Sequence, residues 1–185
     1  MLFRSFNLTK READVAIRPA NDPPETLIGR RIAKVAFAVY GSPAYLASRG
    51  EARHLAHCRW VAPDEGLSGT AVARWMRAQL PQAEITLTAD SLMALRQAAQ
   101  AGLGLVALPC YLGDTSPDLV CVHPPIPELE TALWILTHAD LRHTARIRAF
   151  TEFAGDAFAQ RHSLLEGAET RLHAHTLSSA RLRGV

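Results

Sequence analysis

The sequence lacks the features that are typical of membrane and secreted proteins. No segment is apolar for long enough to cross a membrane as a helix, and no apolar signal core lies between Met1 and Arg11. The cysteines, Cys58, Cys110 and Cys121, are odd in number and widely spaced, which argues against a disulfide framework and for a reducing compartment. These absences predict a cytoplasmic protein with no membrane partner.

Neither sign of charge dominates the chain. The 20 Lys and Arg residues against 18 Asp and Glu residues leave a net charge of +2, which is no strong basic field of the kind that nucleic-acid-binding domains carry. The sequence also lacks a nucleophile elbow, a Walker loop and paired carboxylates suited to hydrolysis. We therefore expect neither an enzyme nor a cofactor.

A metal site is suggested weakly by His54, His57 and Cys58, whose spacing suits two ligands on one helical turn. A structural zinc ion needs four protein ligands, and no third or fourth ligand stands nearby in the sequence. The sequence therefore predicts no metal.

A strand–helix–strand unit runs from Ala83 to Cys110 and organises the rest of the chain. The alternation of apolar and polar residues over Ala83–Leu87 predicts a strand, and apolar residues at helical spacing after Asp90 predict a helix. Gly102 is suited to a left-handed helix stop. The apolar run Gly104–Leu108 predicts a strand that is buried on both faces.

Two predicted helix starts are candidate ligand sites. Asp90 and Ser91 are good N-cap residues, and the helix they begin follows the carboxyl end of a strand, where ligands bind in open α/β sheets. Ser68, Gly69 and Thr70 form a second helix start after a strand. Exposed amides at such starts carry partial positive charge and can hold an anion. The alternative for both segments is that they only cap their helices.

Strands alternate with helices along most of the chain, which predicts an α/β fold with largely parallel sheets. Two more helices are indicated by apolar faces. These faces are formed by Val72, Trp75 and Met76 in one helix and by Ile147, Phe150, Ala154 and Ala157 in the other. The apolar period fades after Gln160, and residues 161–185 are predicted to be a mobile tail.

Four stretches of the chain, between Leu8 and Phe158, resemble signature segments of LysR-type transcriptional regulators, in the order in which that family has them. They are Leu8–Pro19; Ile28–Ile32 with Ala36–Leu46; the helix from Asp90–Leu92 that leads into Ala101–Pro109; and Arg146–Phe150. The resemblance is to the C-terminal, effector-binding (substrate-binding) domain of the family.

The resemblance implies a two-lobed, periplasmic-binding-protein-like (type II) α/β fold, with two crossover strands and an effector in the cleft. Residues 1–34 and 123–160 would form the first lobe and residues 35–122 the second. The first lobe would be incomplete, because the family's first strand, helix and strand have no counterpart here. The family's helix-turn-helix has none either, so this chain is expected to be N-terminally truncated and to bind no DNA directly.

The resemblance also implies site residues. Arg18 would lie near a lobe junction, where its guanidinium fork could bind a carboxylate; the alternative is an ordinary ion pair. Leu92 joins Asp90 and Ser91 as a residue of the effector site. Pro109 would be a hinge or a residue of the cleft edge.

These expectations together predict the effector-sensing domain of a LysR-type regulator, which binds a small anionic molecule between its lobes. The family implies a homodimer, or pairing with a full-length regulator. Two alternatives stay open: a free-standing solute-binding protein, and a truncated remnant that depends on a partner and does not bind DNA itself.

Overall fold

The computed structural model describes residues 13–48 and 54–170. Within these ranges, no helix is long and apolar enough to span a membrane. The strands are β1 (Val15–Pro19), β2 (Leu27–Val35), β3 (Phe37–Gly41), β4 (Arg59–Pro63), β5 (Glu84–Ala89), β6 (Val106–Pro109), β7 (Val120–His123) and β8 (Thr131–His138). The α-helices are α1 (Pro43–Ser48), α2 (Ala71–Gln79), α3 (Leu92–Gln100), α4 (Cys110–Gly113), α5 (Ala145–Ala159) and α6 (His162–Leu165).

The chain divides into two compact units. Unit 1 comprises the described residues up to Val35 together with Thr131–Glu166, and unit 2 comprises Ala36–Glu130 with the segment that begins at Gly167. Residues 123–130, which the sequence analysis assigned to the first lobe, therefore lie in unit 2. The N–H of Ile126 donates to the carbonyl of Phe37, at 2.8 Å, and the side chains of Ile126 and Leu129 are buried in the core of unit 2.

Unit 2 is built on strands that run in both directions. β4 and β5 pair in parallel, whereas β3 pairs antiparallel with β6 on one side and with β7 on the other. Leu105 joins the two groups: its N–H donates to the carbonyl of Arg59, and its carbonyl accepts from the N–H of Val61, both at 2.8 Å. The strand order that results is β5, β4, β6, β3, β7.

Helices cover both faces of this sheet. On one face, α2 packs Val72, Trp75 and Met76 against a cluster that includes Trp60 and Leu105. On the other face, the buried residues of α3 pack against the side chains that alternate with those. This second cluster includes Leu95, Ala98, Ala99, Tyr40, Val61, Val106 and Leu108. The apolar faces predicted from the sequence are therefore the buried faces of α2 and α3.

Two glycines shape the connection from α3 to β6. Gly102 has a φ of +81°, the left-handed conformation that ends α3. A Cβ on Gly104 would lie 2.6 Å from the carbonyl oxygen of Arg59, so a glycine is required for the chain to approach β4. The predicted stop and the predicted buried strand are both confirmed.

Unit 1 holds an antiparallel sheet in the order β1, β8, β2. β8 is its centre, with Val15 opposite Thr137 on one side and Val35 opposite Thr131 on the other. The prediction of largely parallel sheets is therefore wrong, because strand–helix alternation does not reveal that the partner of β1 and β2 arrives much later in the chain. The first part of the Leu8–Pro19 motif lies outside the described residues.

The helical segment that ends unit 1 differs from expectation at two places. In α5, Ile147 and Ala154 are buried as predicted, but Phe150 is exposed, as is Phe153. Part of the predicted tail is structured: α6 follows α5, and the Thr170 hydroxyl in unit 2 donates to the Asp114 carboxylate at 2.7 Å. The rest of that tail, residues 171–185, lies outside the described ranges.

Truncation of Leu95 tests this packing. Leu95 is 1% exposed and lies between α3 and the sheet, so Leu95→Ala should lower the free energy of unfolding by about 2–5 kcal/mol. Met93 on the same helix is 46% exposed, and Met93→Ala should cost less than about 1 kcal/mol. Urea unfolding followed by circular dichroism measures both. Equal losses in the two variants would contradict the assignment of the buried face.

Candidate functional site

The carboxyl ends of three strands meet at one edge of the unit 2 sheet. β4, β5 and β6 all run in the same direction, because β4 is parallel to β5 and Trp60 forms a parallel bridge with Leu105, the residue before β6. Pro63 pairs with Ala89 at the ends of β4 and β5, and the next amide, Asp64 N–H, donates to the Ala89 carbonyl at 3.0 Å. The segments that follow these strands are therefore held side by side.

Thr70 begins α2 at this edge. Its hydroxyl oxygen accepts from the N–H of Ala73, at 3.2 Å, so Thr70 is an N-cap as the sequence predicts. The Thr70 side chain is half-buried. Its hydroxyl accepts only from Ala73, so it does not bind the other N–H groups of the first turn.

Ser91 begins α3 at the same edge, and its hydroxyl oxygen accepts from the N–H of Ala94, at 3.2 Å. Asp90 precedes it with an exposed side chain, and Leu92, the first helical residue, packs partly against the apolar cluster under α3. Because α2 and α3 cover opposite faces of the sheet, their two positive ends flank the same strand ends. Such an arrangement can hold a small anion or a polar group.

The loop before Thr70 carries positive charge that the sequence analysis missed. The carbonyl of Ser68 accepts from Arg77 Nη2 at 3.0 Å, and the carbonyl of Gly69 accepts from Arg74 Nη1. Both arginines lie on α2, outside its apolar face, and their three-residue spacing was the available signal. Ser68 and Gly69 are exposed, and a Cβ on Gly69 would meet nothing within 4 Å, so the loop is open to solvent.

Pro109 ends β6 at this edge and is buried opposite Phe37. The next residue, Cys110, is fully buried, and burial raises the pKa of its thiol. Burial likewise raises the pKa of Cys121 to about 12. Since the thiolate is the reactive form, both cysteines are protonated and poorly nucleophilic at neutral pH.

Tyr40 lies beside Cys110 and donates its hydroxyl to the Asp114 carboxylate at 2.8 Å. Burial, then the neighbouring Cys110 and Asp114, raise the pKa of the Tyr40 phenol. These groups form a buried polar network that the sequence analysis did not identify, since its members are far apart in the chain.

Arg18 lies in unit 1, in β1, opposite Trp134 of β8. Its side chain is exposed, and β1 is half-buried to exposed along its length. Val15–Ile17 reads in the sequence as a short buried strand, and that prediction is wrong, because Val15 and Ala16 are half-buried and Ile17 is exposed. Thr70, Ser91 and Pro109 thus lie at or after the ends of neighbouring strands of the unit 2 sheet, while Arg18 belongs to the other unit.

The weak metal candidate has other contacts. The rings of His54 and His57 meet edge to face, with centroids 6.0 Å apart, and the Cys58 thiol lies 3.4 Å from the carbonyl oxygen of His54. Among the described residues, no group of three or more His, Cys, Asp or Glu side chains is placed to hold a metal ion.

Comparison with protein-family models identifies the domain. The model of the LysR substrate binding domain matches residues 6–159. The chain belongs to the LysR substrate-binding domain family. This family is regulatory rather than enzymatic, and the mixed α/β fold agrees with its periplasmic-binding-protein-like (type II) architecture. No curated protein matches the sequence.

LysR-type regulatory domains among the solved structures have the same fold. The regulatory domain of CrgA from Neisseria meningitidis is 24% identical with a TM-score of 0.63, over 82% of this chain and 78% of that chain. The CcmR regulatory domain from Synechocystis, in complex with 2-PG, is 18% identical with a TM-score of 0.62, over 81% and 76%. A longer CrgA structure from the same organism is 23% identical with a TM-score of 0.64. That match covers 82% of this LysR domain but only 54% of the CrgA chain.

The buried thiols lead to a pH dependence of stability. In the unfolded chain the pKa of a cysteine is about 8.5, whereas burial raises the pKa of folded Cys121 to about 12. The folded state then binds more protons than the unfolded state, so the free energy of unfolding should fall as the pH rises between these values.

Urea unfolding at about pH 7, 9 and 10 measures this decline. Cys121→Ala should reduce the slope with pH, whereas Val120→Ala on the same strand, which removes no ionisable group, should leave the slope unchanged. Identical slopes in the wild-type chain and Cys121→Ala would show that the Cys121 thiol contributes nothing.

Proposed function

We propose that this LysR-family domain senses a small anionic effector, with the unit 2 edge as one wall of the binding cleft. The observation that carries the proposal is the Asp64–Ala89 hydrogen bond, which holds the segments leading to Thr70 and Ser91 side by side. It supports a site where two helix starts present amides and hydroxyls to one molecule. Asp90, Leu92 and Pro109 would shape the same wall.

The charge near this edge favours an anion over a neutral molecule. Arg74 and Arg77 bind the carbonyls of Gly69 and Ser68, which brings two guanidinium groups to the loop. We include Arg18 as the anchor from the other lobe, since an exposed guanidinium can bind a carboxylate with two parallel hydrogen bonds. The family's two-lobed architecture, and the 2-PG complex of the CcmR domain, support a cleft of this kind.

The signal would be closure of the lobes around the effector. In a LysR-type regulator, that movement would be relayed to DNA-binding domains; here, those domains would belong to another part of the protein or to a partner chain. A cytoplasmic location suits this role. The free-standing solute-binding protein and the partner-dependent remnant stay as alternative predictions.

Calorimetric titration with a panel of small carboxylates and aromatic acids tests the site. Ser91→Asp keeps an N-cap acceptor, so the stability of the fold should not fall. Because it adds a negative charge, it should lower the affinity for an anionic effector by about tenfold or more. Arg18→Gln should weaken it by a similar factor. Gln82→Glu is the control, because it adds the same charge in the turn before β5, where the strand begins.

The control should bind within about twofold of the wild-type chain. If the panel yields no ligand, or if Ser91→Asp and Gln82→Glu weaken binding equally, the proposed site is wrong. Thermal unfolding of each variant, measured alongside, separates lost binding from lost folding.

We also propose that two copies pair through β5. β5 ends the strand order of unit 2 among the described strands, and Ile85 on it is 44% exposed. An edge strand with an exposed apolar side chain is a template for a second chain. Ile85→Lys should therefore weaken a dimer by about tenfold or more in sedimentation experiments. Met93→Lys, on an equally exposed residue of α3, should leave it unchanged, and equal effects would contradict this interface.

A further inference from the structure

Unit 1 contains a cavity of about 330 Å³ that lies between its sheet and α5. β2 and β8 provide one wall, and Ile147, Arg148, Thr151 and Glu152 of α5 provide the other. All of the lining residues belong to unit 1, so this cavity is separate from the helix starts of unit 2. Its volume lies at the small end of the range for ligand pockets.

One part of the cavity lining is apolar. Ile135 of β8 and Ile147 of α5 are both buried, and Ile28 lies beside them in the lining. An apolar body placed here would remove further hydrocarbon surface from water, which favours binding in proportion to the area covered.

The polar part of the lining is strongly cationic. It contains Arg30, Arg142 and Arg148 against a single carboxylate, Glu152. Within the described ranges, neither Arg30 nor Arg148 has a carboxylate at ion-pair distance. Arg146, which does not line the cavity, pairs instead with Asp14 at 2.9 Å.

Two further features affect the arginines of this cavity. α5 has no acidic residue in its first turn and no side-chain cap from Thr144, so its positive end adds to the field of the arginines. A Cβ on Gly155 would collide with the guanidinium of Arg30, and the glycine thus lets Arg30 lie against α5. The hydroxyls of Thr137 and Thr151 already donate to the backbone carbonyls of Asp14 and Ile147, both at 2.7 Å.

We infer that this cavity is a second ligand site, which binds a small organic anion with an apolar body, such as an arylcarboxylate. The carboxylate would accept hydrogen bonds from Arg148 and Arg30, and the apolar body would pack on Ile135 and Ile147. Because the two threonine hydroxyls already donate elsewhere, the arginines supply the donors, and an anionic head is preferred over a neutral one.

Phenylacetate is the probe for this site, with phenylacetamide as its neutral counterpart and inorganic phosphate as an anion without an apolar body. Titrated into the full chain, phenylacetate should shift the backbone amide signals of Thr137 and Thr151 in nitrogen–proton correlation spectra. Phenylacetamide and phosphate should each bind about tenfold more weakly or worse. Phosphate that binds as well as phenylacetate would overturn the role of the apolar wall.

Arg148→Gln and Arg146→Gln form a matched pair, because they remove the same charge two residues apart on α5. Arg148→Gln should lower the affinity for phenylacetate by about tenfold, whereas Arg146→Gln should keep an affinity within about twofold of the wild-type value. Arg30→Gln provides a second test from the opposite wall of the cavity. Equal weakening by Arg146→Gln, or signal shifts centred on Ser91 and Ala94 instead, would overturn the assignment.

Discussion

The hydrogen bonds between Leu105 and β4 are the constraint on which the rest of unit 2 depends. Through them, the parallel pair β4–β5 and the antiparallel group β6–β3–β7 become one sheet. That single sheet is what gives α2 and α3 opposite faces to cover and a common edge at which to begin. The constraint itself rests on Gly104, where any side chain would run into the backbone of Arg59.

Local features of this unit could be predicted from the sequence because local chemistry decides them. Thr70 and Ser91 are short oxygen-bearing residues directly before apolar residues at helical spacing, and both accept a first-turn amide in the structure. Gly102 adopts the left-handed conformation expected of it. The position of both helix starts after strands of one sheet made their shared edge a reasonable expectation.

The features that the sequence did not reveal depend on contacts between distant residues. Whether a strand pairs in parallel depends on the partner it finds, and the antiparallel neighbours of β3 and β8 follow no local signal. The exposure of Phe150 shows that helical spacing places a side chain on a face without deciding how much of that face is covered. The cationic cavity of unit 1 likewise joins Arg30 to residues more than a hundred positions later.

The central place of β8 has a consequence for the order in which the chain can fold. β1 and β2 are both made early, yet each has its hydrogen-bond partner in β8, which leaves the ribosome only after nearly all of unit 2. Closing so long a loop costs conformational entropy, and contacts between neighbouring residues do not offset this cost. The strands of unit 2 pair with one another, so this unit can fold during synthesis. β1 and β2 cannot form their pairing with β8 until β8 has been made, and until then they are accessible to chaperones or to a neighbouring chain.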